Sequence, residues 1–252
     1  MNGWGTGMTG LGAKLVACVR REGLLAALDR AWERTLTAMA GWRLSHALGR
    51  LRNCFVLPGL RRSASNSRLN LGCGPDRRPG WVNADLGLTG DLHLDVTRRF
   101  PFADGTFALI YSEHLLEHLS QAGAVNCARE AFRVLQPGGT LRLSTPDLAY
   151  FVTMYQAPPE QSLPHRELNA EVSPWKYSPG AVATAAQMLN DAFRLWGHRH
   201  LWDEADLRAL LQEAGFRDIV RYAPGDGSGP ETTGLERRLG PGALVLEARK
   251  PG

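Results

Sequence analysis

Leu69-Asn70-Leu71-Gly72-Cys73-Gly74-Pro75 is the stretch that decides the fold, because a short apolar segment runs directly into a glycine turn. A second short segment, Trp81-Val82-Asn83-Ala84-Asp85, follows it and ends in a carboxylate. Two such strands, joined through a Gly-x-Gly turn, are the usual motif by which a parallel sheet binds a nucleotide or nucleoside. The sequence therefore predicts a ligand-binding edge where these strands end.

The turn also indicates which nucleoside is bound. A dinucleotide-binding turn continues to a third glycine that opens a helix under a pyrophosphate. That place is occupied here by Pro75-Asp76-Arg77-Arg78-Pro79, whose prolines disfavour a helix. We expect a nucleoside without a pyrophosphate, and S-adenosylmethionine (SAM) fits best.

From Leu69 onward, segments with strand character alternate with segments of helical character. Strands are expected near residues 69–72, 81–84, 92–94, 107–111, 140–144, 218–223 and 243–248, the third of them weak. Helices are expected over Ala122–Val134 and over Glu204–Ala214, the latter closed by Gly215. This order predicts an α/β fold with a Rossmann-like, doubly wound sheet of seven strands. The sheet is mostly parallel, and the last two strands form an antiparallel edge.

A basic helical N-terminal extension is predicted before this domain. Apolar residues recur at spacings of three and four within residues 11–52, with breaks at Gly23 and Gly41. Pro58-Gly59 and the polar residues 63–67 predict a linker into the first strand. The expected division is 1–66 for the extension and 67–252 for the sheet domain.

Residues 150–200 show no strand pattern. They carry large aromatic side chains, among them Trp175 and Tyr177, between several prolines. We interpret this region as an insertion that covers the substrate.

Composition narrows the class of protein. With 252 residues and 44% apolar residues, the chain buries one full-sized core and leaves an appendage. Its four cysteines are scattered, which favours a reducing, cytoplasmic location over a disulfide framework. No apolar run approaches the roughly 20 residues that span a bilayer. No signal peptide is expected, since Lys14 interrupts the N-terminal apolar patch.

The positive charge belongs to the extension. Residues 1–68 hold eleven Lys or Arg residues against three acidic ones, whereas residues 69–252 hold eighteen against twenty-two. The basic helices have three interpretations: packing on the sheet domain, dimerisation, or peripheral contact with an anionic membrane surface. Nucleic acid is not an expected partner, because the basic pattern does not continue into the sheet domain.

Five motifs, in order over residues 69–148, resemble those of class I SAM-dependent methyltransferases, and the likeness extends to about residue 223. They stand at Leu71–Gly74, Gly80–Asp85, Asp95-Val96, Phe100–Phe107 with Ser112–His118, and Arg133–Gly139 with the strand after it. The LGCG…GWVNAD pattern resembles a bacterial, Methyltransferase-11-like subgroup that is often linked to glycan pathways.

The resemblance implies SAM as cofactor. It assigns cofactor binding to Leu71, Gly72, Cys73, Gly74, Asp85, Asp95, Val96 and Ser112. Asp85 can accept hydrogen bonds from the two ribose hydroxyls, unless it is only a solvated strand-end acid. Asp95 would accept from the adenine amino group while the Val96 amide donates to the ring, and the nearby Asp91 competes for this assignment. Cys73 is interpreted as a small packing residue.

Two histidines are candidates for a general base. His114 stands just past the fourth strand, and a neutral imidazole there can take a proton from an attacking hydroxyl. The alternative is a histidine that only packs or contacts the cofactor. His198 and His200 alternate on an extended segment, so both can face the pocket. The alternative for this pair is a solvated loop.

The remaining polar candidates are interpreted as structural. His118, in the family's Leu-Glu-His motif, is predicted to be an interior, hydrogen-bonded histidine. Asp147 is predicted to cap the helix Leu148–Tyr155, with orientation of a substrate hydroxyl as the alternative. No metal is expected, because no carboxylate-rich ligand set stands at matching spacing around the histidines.

Together these residues predict an enzyme that moves a methyl group from SAM to a hydroxyl. On grounds of the resemblance, the acceptor is a saccharide or a glycosylated small natural product. Two alternatives stay open. One is methylation of an amine, for which Glu113, Glu117 and Asp147 are available. The other is a SAM-binding scaffold without turnover, acting through the basic N-terminal helices.

Overall fold

The computed structural model describes residues 44–62, 67–172, 184–240 and 242–252, which build one seven-stranded sheet with helices. The strand order is β3-β2-β1-β4-β5-β7-β6. The strands are β1 (Ser67–Leu71), β2 (Val82–Asp85), β3 (Leu92–His93), β4 (Phe107–Glu113), β5 (Leu135–Pro146), β6 (Arg217–Tyr222) and β7 (Ala243–Arg249). The Rossmann-like prediction is confirmed, including the weak third strand.

The central strands are apolar along most of their length. Leu69, Leu71, Ile110 and Leu141 are almost completely buried. Strands of a parallel sheet are covered on both faces, so they read as continuous rather than alternating apolar runs. Parallel pairing joins the first five strands, β1 to β5. Their carboxyl ends therefore lie at one edge of the sheet.

The other edge contains the antiparallel strands. β7 pairs antiparallel with both β5 and β6, so β6 is outermost. A buried ion cluster joins β5 to β7: the Arg142 guanidinium donates to both carboxylate oxygens of Glu236 at 2.7 Å and to Glu247 Oε1 at 2.6 Å. The expected antiparallel pairing of the last two strands is confirmed.

Six helices are described. They are α1 (residues 44–62), α2 (Gln121–Val134), α3 (Leu148–Gln156), α4 (Pro159–Val172), α5 (Ala185–Arg194) and α6 (Glu204–Ala214). The Asp203 side chain accepts from Asp206 N at the start of α6, and Gly215 ends this helix in the left-handed conformation. Both helices expected from the sequence, and the Gly215 cap, are confirmed. No helix of the described ranges is long and apolar enough to cross a membrane.

Helix α1 corrects the predicted linker. It runs through Pro58-Gly59 and is described as helix up to residue 62. Asn53 holds it to β3, since its amide donates to His93 O at 2.7 Å and accepts from His93 N at 3.0 Å. Leu57 and Leu60 pack against the core, and these tertiary contacts outweigh the local preference of Pro and Gly for a turn. The predicted helical residues before 44, and the polar residues 63–66, lie outside the described residues.

The region 150–200 is helical where it is described. α3, α4 and α5 occupy most of it, and no strand occurs in 148–172 or 184–200, as expected from the sequence. Trp175 and Tyr177 lie outside the described residues. The covering role of the region stays a prediction.

Gly215→Ala is expected to destabilise the fold by about 1–3 kcal/mol. Gly215 has φ +110°, and an added Cβ would lie 2.8 Å from the Phe132 ring, so the substitution adds both backbone strain and a clash. Thermal unfolding measures the loss. Gly59→Ala is the matched control, because Gly59 lies inside α1 with nothing within 4 Å of an added Cβ. We expect that variant to gain up to about 1 kcal/mol, and equal effects at both sites would contradict the argument.

Candidate active site

The predicted site residues lie at the carboxyl edge of the sheet. β1 ends at Leu71, β2 at Asp85, β4 at Glu113 and β5 at Pro146. From β1 the chain goes to β2 and β3 on one side and returns to β4 on the other. A crevice opens where the order of a doubly wound sheet reverses in this way, and ligands bind there.

The glycine turn after β1 has the geometry expected of a ligand cradle. Gly72 has φ +66° and Gly74 has φ +49°, both in the left-handed region that favours glycine. The amides of Gly72 and Cys73 both donate to Ala84 O, which fixes the turn to β2. A Cβ on Gly74 would have nothing within 4 Å, so the turn faces open space at Gly74, whereas a Cβ on Gly72 would lie 2.9 Å from Leu115. Burial raises the pKa of the Cys73 thiol to about 12, as suits a packing residue rather than a nucleophile.

Asp85 closes the cradle from the side of β2. Its Oδ2 accepts from Gly74 N at 2.9 Å, and its Oδ1 accepts from Gly87 N at 2.6 Å. The side chain is only partly buried. The carboxylate predicted to bind ribose therefore stands directly beside the predicted glycine turn.

Asp95 and Asp91 hold local structure. Asp95 Oδ1 accepts from the Thr97 amide at 3.0 Å and from its hydroxyl at 2.6 Å, while Oδ2 accepts from Arg98 Nε at 3.0 Å. Asp91 accepts from the Asn83 backbone and side chain at 3.0 and 2.9 Å. Asp91 therefore stabilises the segment before β3. Val96, predicted to contact adenine, is buried beside Asp95.

Two buried hydroxyls lie at the ends of neighbouring strands. Ser112 on β4 and Ser144 on β5 are 2% and 3% exposed, and neither Oγ has a hydrogen-bond partner among the described residues. Buried polar groups are nearly always bonded, so such atoms mark a place where a ligand or water completes the structure. Ser112 is a predicted cofactor contact, whereas Ser144 was not singled out by the sequence.

His114 follows β4 in a strained conformation. Its φ of +52° is unusual for a residue other than glycine, and such strain concentrates at functional sites. Its amide donates to Ser144 O at 2.8 Å, which holds the backbone on β5. The imidazole Nδ1 lies 2.8 Å from Glu117 Oε1, and 19% of the side chain is exposed.

Sequence reasoning named Glu117 only as a carboxylate for an amine acceptor and did not predict its pairing with His114. Glu117 is completely buried, in a short 3-10 turn over Leu116–His118, and its Oε2 accepts from Thr145 Oγ1 at 3.1 Å. Burial raises the pKa of this carboxyl, but bonding and attraction from His114 outweigh it and hold the pKa below its usual value. A carboxylate between apolar Leu115, Leu116 and Leu119 was the signal for a buried, paired acid.

His198 and His200, which alternate along one segment, have different partners in the structure. His198 lies beside His118, with ring centroids 5.0 Å apart, and its Nδ1 is 2.6 Å from Ala192 O. His200 instead places Nε2 2.8 Å from Asp206 Oδ2 on α6. The structure thus brings His198 into the group of His114, Glu117 and His118. The two imidazoles bond to different helices, His198 to α5 and His200 to α6, and only His198 joins this group.

Asp147 is the predicted cap of α3. Its Oδ1 accepts from Ala149 N at 2.9 Å, and its Oδ2 accepts from Arg221 at 2.8 Å. The predicted cap of α3 is therefore confirmed.

Residues 44–220 match the sequence model of the family described as "Methyltransferase domain", so the chain belongs to this methyltransferase family. It is a SAM-dependent methyltransferase of class I, and SAM is its cofactor. No curated protein matches the chain.

Solved structures that resemble the chain include three SAM-dependent methyltransferases. The one from Thermotoga maritima is 15% identical, covering 87% of this chain and 98% of its own, with a TM-score of 0.43. The one from Mesorhizobium loti is 17% identical, covering 79% and 98%, with a TM-score of 0.42. The one from Archaeoglobus fulgidus is 13% identical, covering 87% and 99%, with a TM-score of 0.44.

Proposed function

We propose that this methyltransferase moves the methyl group of SAM to a hydroxyl of a saccharide or of a glycosylated small natural product. The observation that carries the proposal is the paired His114 and Glu117 at the carboxyl edge, with Nδ1 and Oε1 2.8 Å apart. A histidine oriented by a buried carboxylate is suited to accept the proton that a hydroxyl loses when it is methylated.

The cofactor site in this proposal is built from the glycine turn and the strand ends. Leu71, Gly72, Cys73 and Gly74 form the cradle, and Asp85 accepts from the ribose hydroxyls. The adenine ring is bound by Asp95 and Val96. On β4, Ser112 Oγ contacts the cofactor. The open space at Gly74 and the unpartnered Ser112 hydroxyl support this fit. SAM supplies a methyl group already activated by its sulfonium.

The protein's remaining task is to align and deprotonate the acceptor. His114 takes the hydroxyl proton on Nε2, while Nδ1 stays directed at Glu117. The negative charge of Glu117 stabilises the imidazolium that forms. Thr145 keeps the carboxylate in place through its 3.1 Å hydrogen bond. His198, the second candidate base, lies next to His118.

The carboxylates available for an amine acceptor are engaged elsewhere. Glu113 accepts from the amides of Arg237 and Arg238, at 3.1 and 2.9 Å. Asp147 caps α3, and Glu117 is completely buried. These contacts favour a hydroxyl over an amine as the acceptor.

The experiment that tests the proposal is a measurement of S-adenosylhomocysteine release with matched panels of acceptors. One panel holds saccharides and glycosides, and the other holds amines of similar size. Turnover on the first panel alone supports the proposal. Turnover only on amines overturns it, and SAM binding without turnover on either panel favours the scaffold alternative.

Asp85→Ala is expected to weaken SAM binding by about 10–100-fold, since a hydrogen bond to a charged group contributes about 1.5–3 kcal/mol. Calorimetric titration with SAM and S-adenosylhomocysteine measures the change. Asp104→Ala is the control, because Asp104 is exposed and precedes β4 at the opposite edge. Equal affinity in wild type and Asp85→Ala would contradict the assignment of Asp85.

A further inference from the structure

Three side chains at the carboxyl edge form a group that methyl transfer alone does not require. Glu117, His118 and His198 each offer one ligand atom, and these atoms lie within 4.8 Å of one another. Two of the residues are neighbours in the 3-10 turn, and the third comes from the loop after α5. One carboxylate and two imidazoles are a recurrent ligand set for first-row transition metals.

Backbone contacts hold the two halves of this cluster together. The amides of Arg199 and His200 donate to Glu117 O, at 2.7 and 3.2 Å. Gly197, with φ +80°, makes the turn that leads into His198. The position of His198 over the 3-10 turn is therefore fixed by main-chain bonds rather than by its side chain alone.

The cluster's side chains are oriented as ligands are. His198 Nδ1, 2.6 Å from Ala192 O, is the nitrogen that donates, which leaves Nε2 as the basic one. Metal-binding histidines commonly donate their other N–H to a backbone carbonyl in this way. Glu117 is oriented by His114 and Thr145. A carboxylate has about four lone-pair sites, so these two contacts leave capacity for a cation.

We propose that Glu117, His118 and His198 form a binding site for a divalent first-row transition metal ion of the zinc type. Nitrogen ligands favour such ions over Mg²⁺ or Ca²⁺, which prefer oxygen. The expectation of no metal rested on spacing along the chain. It missed Glu117 because the fold, and not the sequence, brings this residue to His198. The site does not depend on the identity of the methyl acceptor.

Titration of the full chain with Zn²⁺, and with Co²⁺ followed by its absorption spectrum, tests the site. We expect one ion per chain, and a loss of affinity in His118→Ala and His198→Ala of at least about 10–100-fold. His200→Ala is the matched control, since His200 bonds to Asp206 outside the cluster, and it is expected to bind as wild type does.

SAM titration of the same variants keeps the outcomes distinct. Retained SAM affinity shows that a variant is folded, so its loss of metal affinity is local. Absence of stoichiometric binding in the wild type overturns the site. Metal affinity that is the same in wild type, His118→Ala and His198→Ala also overturns it. Neither result bears on the acceptor experiment, which measures methyl transfer.

Discussion

His114→Asn is expected to lower the rate of methyl transfer to a hydroxyl by about 10²–10⁴-fold, the usual contribution of a general base. Asparagine tolerates positive φ, so the variant removes the base while keeping the backbone at φ +52° unstrained. SAM affinity is expected to stay unchanged, because His114 is absent from the proposed cradle. Steady-state rates and SAM calorimetry, run in parallel, measure both quantities.

The pH dependence separates a base from a merely structural histidine. A base acts only when it is deprotonated, so wild-type kcat/KM should rise with pH to a plateau, and this rise should vanish in His114→Asn. Glu117→Gln removes the negative charge 2.8 Å from the imidazole that stabilises the imidazolium, so we expect a lower rate of methyl transfer than in wild type. His200→Ala serves as control. Full activity of His114→Asn with an unchanged pH profile would remove His114 as the base.

Arg142→Met is expected to destabilise the fold by about 3–5 kcal/mol, because it leaves buried carboxylates without their partner. Arg142 and Glu236 are completely buried, and Glu247 is almost so. For a domain of this size the unfolding temperature should fall by roughly 6–20 °C. Thermal unfolding followed by circular dichroism measures it.

Two further variants show whether the effect arises from the uncompensated charge. Adding Glu236→Gln and Glu247→Gln to Arg142→Met removes both orphaned charges, and we expect part of the stability to return. Arg68→Ala removes an exposed ion pair with Glu231, which contributes at most about 1 kcal/mol, and the contact of Arg68 with the Trp81 ring. Arg142→Met and Arg68→Ala with equal stability would refute the argument.

The sequence was sufficient to predict the sheet and the position of the glycine turn and the acid at its carboxyl edge. The strand ending at Leu71, the turn at Gly72 and the acid at Asp85 are local signals, and each lies where the pattern predicts it. Even the two-residue β3 begins at Leu92, where a weak strand was predicted. Local signals failed at Pro58-Gly59, where the packing of Leu57 and Leu60 extends α1 past residues that usually end a helix.

The acceptor side of the site was less predictable, because it depends on contacts between distant segments. Glu117 meets Thr145 through the pairing of β4 with β5, and it meets His198 through a loop that returns from α5. Neither contact leaves a periodic pattern. The sequence singled out His114 and His198 individually, but only the fold brings Glu117 close to both.

The backbone bonds around Trp202 have a consequence for how the enzyme's acceptor range can diverge. Leu148 N donates to Trp202 O at 2.9 Å, so the chain leaves β5 and comes back at almost the same point. A segment whose two ends lie together can be lengthened or exchanged at small entropic cost, since the entropy of closing a loop depends only weakly on its length. We expect grafts between residues 148 and 202 that keep His198, Arg199 and His200, whose segment is bonded to Glu117 O, to alter substrate preference, which makes this pair of positions a junction for chimeric enzymes.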